Sequence, residues 1–147
     1  MKIGIGNDHA AFDMKTQLLS ILQDMGHEVV DYGTHSTDRC DYPIYGEKVA
    51  NAVAVGEVDC GILLCGTGIG MSLAANKVRG IRAAAVSEPY SARLSKQHNN
   101  SNIICLGARV IGIETAKMII EEWLGAEFEG GRHQDRIDLI MAIQDNQ

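Results

Sequence analysis

A chain of 147 residues with a hydrophobic share of 46% and a charged share of 22% has the make-up of one globular domain, 1–147, long enough to bury a core. Its net charge of −6 comes without a basic stripe, which excludes a nucleic-acid partner, and no apolar run is long enough to span a bilayer. Two prolines and no Ser/Gly-rich tract leave no linker, and the opening MKIGIGNDHA has no apolar leader, so a cytoplasmic location is expected.

In chain order, KIGIGN (2–7) reads as a first strand. A helix over about 10–25 follows, in which Phe12, Leu18, Leu19, Leu22 and Met25 recur at helical spacing and Gly26 acts as the stop. HEVVDYG (27–33) is the second strand and 42–55 the second helix. CGILLC (60–65) is the third strand, leading through a glycine-rich loop into a helix over 70–78. RAAAVS (82–87), a helix over 89–97, NIICLG (102–107) and a helix over 112–124 continue the alternation. In that fifth helix Ala116, Ile119, Ile120, Trp123 and Leu124 share the helical spacing, which suits either core or an interface, and Gly125 follows. A polar helix over about 134–145 closes the chain.

Five repeats of strand then helix predict an α/β fold: a three-layer, doubly wound sandwich on a five-stranded parallel sheet, Rossmann- or flavodoxin-like. In such sheets ligands bind beyond the carboxyl ends of the strands. Those ends carry Asn7-Asp8-His9, Gly33-Thr34, Cys65-Gly66-Thr67-Gly68, Ser87-Glu88 and Gly107-Ala108-Arg109.

The loop CGTGIG (65–70) is the most suggestive stretch. It is not a dinucleotide fingerprint, because G-x-G-x-x-G would need glycine where Met71 stands, and no Lys-Ser/Thr follows to make a P-loop. Nor is it a thiol-phosphatase loop, whose arginine would also fall at Met71. What remains is a turn whose amides nest negative charge beside a thiol, an arrangement suited to proton transfer next to a carbonyl. A cysteine merely closing a buried strand is the alternative at this stage. The four cysteines, at 40, 60, 65 and 105, form no C-x-x-C pair, so neither a zinc site nor a redox pair is expected.

Three further groups invite both structural and chemical readings. Asp8 suits a helix cap, and His9 beside it could meet an anion. His98 and Asn99 in KQHNNSN end a helix, where a histidine can simply face the dipole. Arg132 and Arg136, spaced to share a helix face after Gly130-Gly131, could be a solvated face or a phosphate clamp.

With these residues in view, the chain resembles the type B ribose-5-phosphate isomerases and the wider family that includes galactose-6-phosphate isomerase subunits. The resemblance runs nearly end to end. It rests on NDHAAF, DYP (41–43), CGTGIGMSLAANKVRGIRAA, SEPYSARLSKQHNNSNI, LGARVIG and EGGRH. It implies a metal-independent enzyme without a cofactor that interconverts an aldose phosphate and a ketose phosphate through a cis-enediolate. By the same resemblance Cys65 is the proton-transfer base, and Gly66, Thr67, Gly68, Ile69 and Gly70 hold the oxyanion, with Thr67 assisting. His98 is the ring-opening acid, Asp8 and Asn99 contact hydroxyls or the carbonyl, and Tyr42 lies near the base. His9, Arg109, Arg132 and Arg136 take the phosphate. The resemblance further implies a homodimer or homotetramer with shared sites, in which the His98–Arg109 segment serves the partner chain.

Branches that lack the loop cysteine place a carboxylate at the position of Ser72; Cys65 puts this chain in the cysteine branch. Retention of the paired arginines and of HNN favours ribose 5-phosphate over galactose 6-phosphate, with allose 6-phosphate open. A non-catalytic phosphate-binding module and a thiol phosphatase are the rival readings.

Overall fold

The computed structural model describes residues 1–147. Its elements are β1 (Lys2–Asn7), a 3₁₀ turn (His9–Ala11), α1 (Phe12–Asp24), β2 (Glu28–Asp31), α2 (Tyr42–Ala54), β3 (Cys60–Cys65), α3 (Ile69–Ala75), β4 (Ala83–Ala85), α4 (Pro89–Gln97), β5 (Ile103–Gly107), α5 (Ile113–Gly125) and α6 (Arg132–Asp145). The expected α/β fold is the observed one. All four strand pairings are parallel, in the order β2-β1-β3-β5-β4.

Strands β1, β3 and β5 are buried almost throughout, as strands covered on both faces must be. On one face α1, α4 and α5 meet them through Leu18, Leu22, Ala92, Ile119, Ile120 and Trp123. On the other face α2 and α3 contribute Val49, Ala50, Met71 and Ala75. The apolar stripe of α5 is therefore core: Trp123 is 1% exposed and its indole N–H donates to Ser101 Oγ at 2.8 Å. The exposed apolar side chains near the C-terminus are on α6 instead: Leu139, Ile140 and Ile143.

The differences from expectation lie at element ends. β4 is three residues long because it is an edge strand with one neighbour. α3 stops at Ala75, since Asn76 turns out to bridge Ala83 through both its side-chain atoms. α6 starts at Arg132, two residues early, after Gly130 and Gly131 turn the chain with positive φ. No helix is long and apolar enough to cross a membrane.

One buried ion pair bears on the site. Lys15, 2% exposed, donates from Nζ to Asp31 Oδ2 at 2.9 Å and to the Thr34 carbonyl at 2.7 Å. It ties α1 to the start of the segment that delivers Cys40 and Tyr42. Lys15→Met keeps the bulk but strands both acceptors, so urea unfolding should register a loss of about 3 kcal/mol. A loss within experimental error would mean the pair contributes nothing beyond packing.

Candidate functional site

The parallel sheet brings the carboxyl ends of β1, β3 and β5 side by side, and the register pairs Cys65 with Gly107. Two backbone bonds then lace the following turns together: Ala108 N–H donates to the Cys65 carbonyl at 2.8 Å, and Arg109 N–H to the Gly66 carbonyl at 3.1 Å. Arg109 thereby hangs over the glycine loop, with its Nη1 3.5 Å from where a Gly66 Cβ would sit.

Glycine is required at two positions here, one in the loop and one at the end of β5. Gly68 has φ 81°, and a Cβ there would lie 2.9 Å from the backbone carbon of Leu106. A Cβ on Gly107 would meet the Thr67 backbone at 2.7 Å. The loop is thus pressed flat onto the end of β5. Gly68→Ala combines a disfavoured φ with a backbone clash, and should cost about 2 kcal/mol of stability. The displaced loop should lower kcat about 10²-fold. Steady-state kinetics alongside a thermal melt separate the two effects.

Cys65 Sγ accepts the Gly68 N–H at 3.2 Å, while the N–H groups of Gly66 and Thr67 make no backbone hydrogen bond. Thr67 Oγ1 accepts the Ile69 N–H at 3.3 Å. Tyr42, at the start of α2, lies against Gly70, so its phenol borders the loop. The other buried thiols are chemically muted: burial pushes Cys60 up to about 12, and burial with the nearby Cys65 raises Cys105.

Asp8 is 6% exposed; its Oδ1 caps the 3₁₀ turn by accepting the Ala10 N–H at 3.0 Å, and its own N–H reaches the Leu64 carbonyl. The expected capping role is real and leaves the second carboxylate oxygen free of protein partners. His9 Nδ1 accepts the Cys40 N–H at 3.2 Å. A neutral ring with Nδ1 occupied as an acceptor carries its proton on Nε2, which then donates outward. Cys40 was legible only as one of four cysteines; its backbone N–H meets His9 Nδ1, with its Sγ 3.8 Å from the same nitrogen.

His98, Asn99, Arg132 and Arg136 lie elsewhere. His98 closes α4 and precedes β5, whereas Cys65 stands at the opposite end of the same sheet. From Ile103 to Gly107 the strand alone spans about 13 Å. The structure therefore brings together Asp8, His9, Tyr42, Cys65, the glycine loop and Arg109, and separately His98, Asn99, Arg132 and Arg136. β5 runs between His98 and Arg109, so the two stand at opposite ends of that strand, with Arg109 over its own chain's glycine loop.

The second group is built with care. Ser101 Oγ receives the Trp123 indole and lies 2.9 Å from Ser95 Oγ, pinning the end of α4 to α5. Arg82, whose burial lowers its pKa, donates to the carbonyls of Asn99 and Asn100, and Asn100 takes φ 44° to turn the chain. Arg132 and Arg136 both fall inside α6 and are exposed, on one face as their spacing required. Two residues not singled out from sequence belong here. His133 stacks on His98 with ring centroids 4.2 Å apart, and Glu129 lies within 3.5 Å of both rings. His133 sits within the quoted EGGRH block, which was its one available signal.

The profile of the Ribose/Galactose Isomerase family matches residues 3–140. The ribose-5-phosphate isomerase B of Escherichia coli K12 is 57% identical over 143 residues, covering 97% of this chain and 96% of that protein. The D-erythrulose-4-phosphate isomerase of Pectobacterium atrosepticum is 48% identical, over 95% of this chain and 93% of its own. The structure of Clostridium thermocellum ribose-5-phosphate isomerase B superposes with a TM-score of 0.98 at 51% identity, covering 99% of each chain.

Proposed function

The chain belongs to the ribose/galactose isomerase family, a family of sugar phosphate isomerases, and on that premise we propose that it interconverts ribose 5-phosphate and ribulose 5-phosphate. The observation that carries this reading is the setting of Cys65: a thiol at the carboxyl end of β3, 4% exposed, touched by the Gly68 N–H, beside loop amides without backbone partners. Cys65 removes the proton from C2 of the open-chain aldose and returns it at C1. The amides of the Gly66–Gly70 loop, with Thr67, hold the cis-enediolate oxygen, whose negative charge is absent in the bound aldose and develops as the C2 proton leaves. Asp8 and Tyr42 border this chamber and contact the sugar. No metal or cofactor takes part.

The remaining groups come from a second copy of the chain. His98 of one subunit supplies the proton that opens the furanose bound at the other's Cys65, and Asn99 steadies the sugar. The phosphate dianion is gripped from both sides: His9 Nε2–H and Arg109 beside Cys65, Arg132 and Arg136 from the partner's α6. Two features support a homodimer. The two residue groups stand at opposite ends of one sheet, and α6 exposes Leu139, Ile140 and Ile143 to 69%, 48% and 64%. A cleft of about 840 Å³ between α6 and the β4 edge, lined by Ile81, Ile140, Met141 and Ile143, is open in the single chain and suits a partner's apolar side chains.

The test is direct. Chelator-treated protein is given ribose 5-phosphate and the appearance of ribulose 5-phosphate is followed. Turnover is the expected result. Turnover confined to four- or six-carbon phosphates, including erythrulose 4-phosphate, allose 6-phosphate and galactose 6-phosphate, would replace the substrate and keep the chemistry. Release of inorganic phosphate would overturn the isomerase reading.

A further inference from the structure

The cluster at the end of α4 has more donors than ring opening requires. Glu129 Oε1 lies 3.5 Å from His98 Nε2 and 3.4 Å from His133 Nε2, and the three donor atoms stand within 4.8 Å of one another. Charge-assisted N–H···O bonds close to about 2.8 Å, so both contacts are long for hydrogen bonds. They fit another geometry. With Zn–N and Zn–O near 2.0–2.1 Å, neighbouring ligands of a tetrahedral ion stand about 3.3 Å apart.

The donor types agree with the spacing. Two histidines and one glutamate make up a zinc set that leaves a fourth position for water or another ligand. The backbone holds them in place: Glu129 N–H is anchored on the Gln97 carbonyl at 3.0 Å, at the end of the helix that carries His98. Gly130 and Gly131, with φ 68° and 58°, then fold the chain so that His133 comes back beside it.

One rearrangement is needed. The imidazoles stack 7° from parallel, so their lone pairs run side by side rather than converging. His98 and Glu129 have side chains 38% and 49% exposed and are free to swing, whereas His133 at 11% is the fixed ligand. Rotation of His98 about its Cβ–Cγ bond opens the stack toward a shared ion. Arg132 and Arg136 on the same helix oppose a cation, which points to a moderate rather than a tight site.

We propose that His98, Glu129 and His133 form a binding site for a zinc-like divalent transition metal, and that its occupation reversibly switches the isomerase off. The second half rests on the role of His98 proposed above. An imidazole nitrogen bound to the ion has no lone pair for a proton, so His98 is no longer available as the imidazolium acid that opens the sugar ring. Metal here is an inhibitor, which is compatible with metal-independent catalysis.

The experiment titrates the chelator-treated protein with Co²⁺ and Zn²⁺, reading visible Co²⁺ absorption and calorimetric stoichiometry, with isomerase rate measured in parallel. The expected result is one ion per chain and loss of turnover over the same concentration range, restored by chelator. Glu129→Gln and His133→Ala should each weaken binding at least about tenfold, as loss of a first ligand does. A Co²⁺–thiolate charge-transfer band would place the ion at a cysteine, and that result, or binding unchanged in both variants, would overturn the site. Binding without inhibition would overturn the switch alone. Because the ion is read by absorption and heat, a protein inactive on ribose 5-phosphate would still report whether the site exists.

Discussion

Cys65→Ala should lower kcat for ribose 5-phosphate by about 10³-fold, near 4 kcal/mol of transition-state stabilisation, because a positioned base is worth two to four orders of magnitude. KM should move little. The proposed phosphate ligands His9, Arg109, Arg132 and Arg136 lie on other elements, and phosphate affinity measured by competition should be retained. The protein should still fold, since the substitution removes one sulfur contact, the Gly68 N–H at 3.2 Å, from an otherwise apolar cluster with Met71 and Cys105. A matched thermal melt with retained activity would remove Cys65 from the chemistry and leave Asp8, at the same end of the sheet, as the candidate base. Neither Cys60 nor Cys105 is a substitute, since burial raises both thiols far above neutral pH.

Mixing two inactive variants should restore activity. Cys65→Ala damages one end of the sheet and His98→Asn the other, so a mixed dimer assembles one site with both defects and one with neither. Random reassortment of a two-fold dimer then returns about a quarter of the wild-type activity. Each variant alone stays inactive at any concentration. If the four groups at the far end of the sheet acted on their own chain's cysteine loop, mixing would restore nothing. The complementation also reads out exchange: no recovery until the dimers are dissociated and reannealed would indicate a tight interface, in keeping with the apolar face of α6.

Much of the fold could be read along the chain, because strand and helix leave periodic marks within ten or so residues. The runs KIGIGN and CGILLC are apolar enough to require burial on both faces, and α1 and α5 carry helical stripes that end at glycines. Ends were less legible. α3 gave way at Ala75 because Asn76 found partners on Ala83, which no local pattern announces. The rule that ligands gather beyond the strands' carboxyl ends singled out Asp8, His9, Cys65 and Arg109, and the structure places all four at that one end of the sheet. It had nothing to offer for His98, Arg132 and Arg136, which stand at the other end. Their assignment to the same active site came from family resemblance, and the proposed pairing of two chains is the arrangement in which both groups could meet.

The sequence alone determined the α/β class, the glycine loop headed by Cys65, and the rejection of dinucleotide and P-loop chemistry, since each depends on residue type at short spacing. The tertiary structure decided which of these pieces meet. The placement of β5 between β3 and β4 is a long-range choice of pairing partner, and it is what laces Arg109 onto the Gly66 carbonyl. The tether of Cys40 to His9 and the gathering of His98, Glu129 and His133 join residues about thirty positions apart. Such contacts arise from the packing of whole elements, where burial and pairing outweigh local preference, and no periodicity in the chain records them.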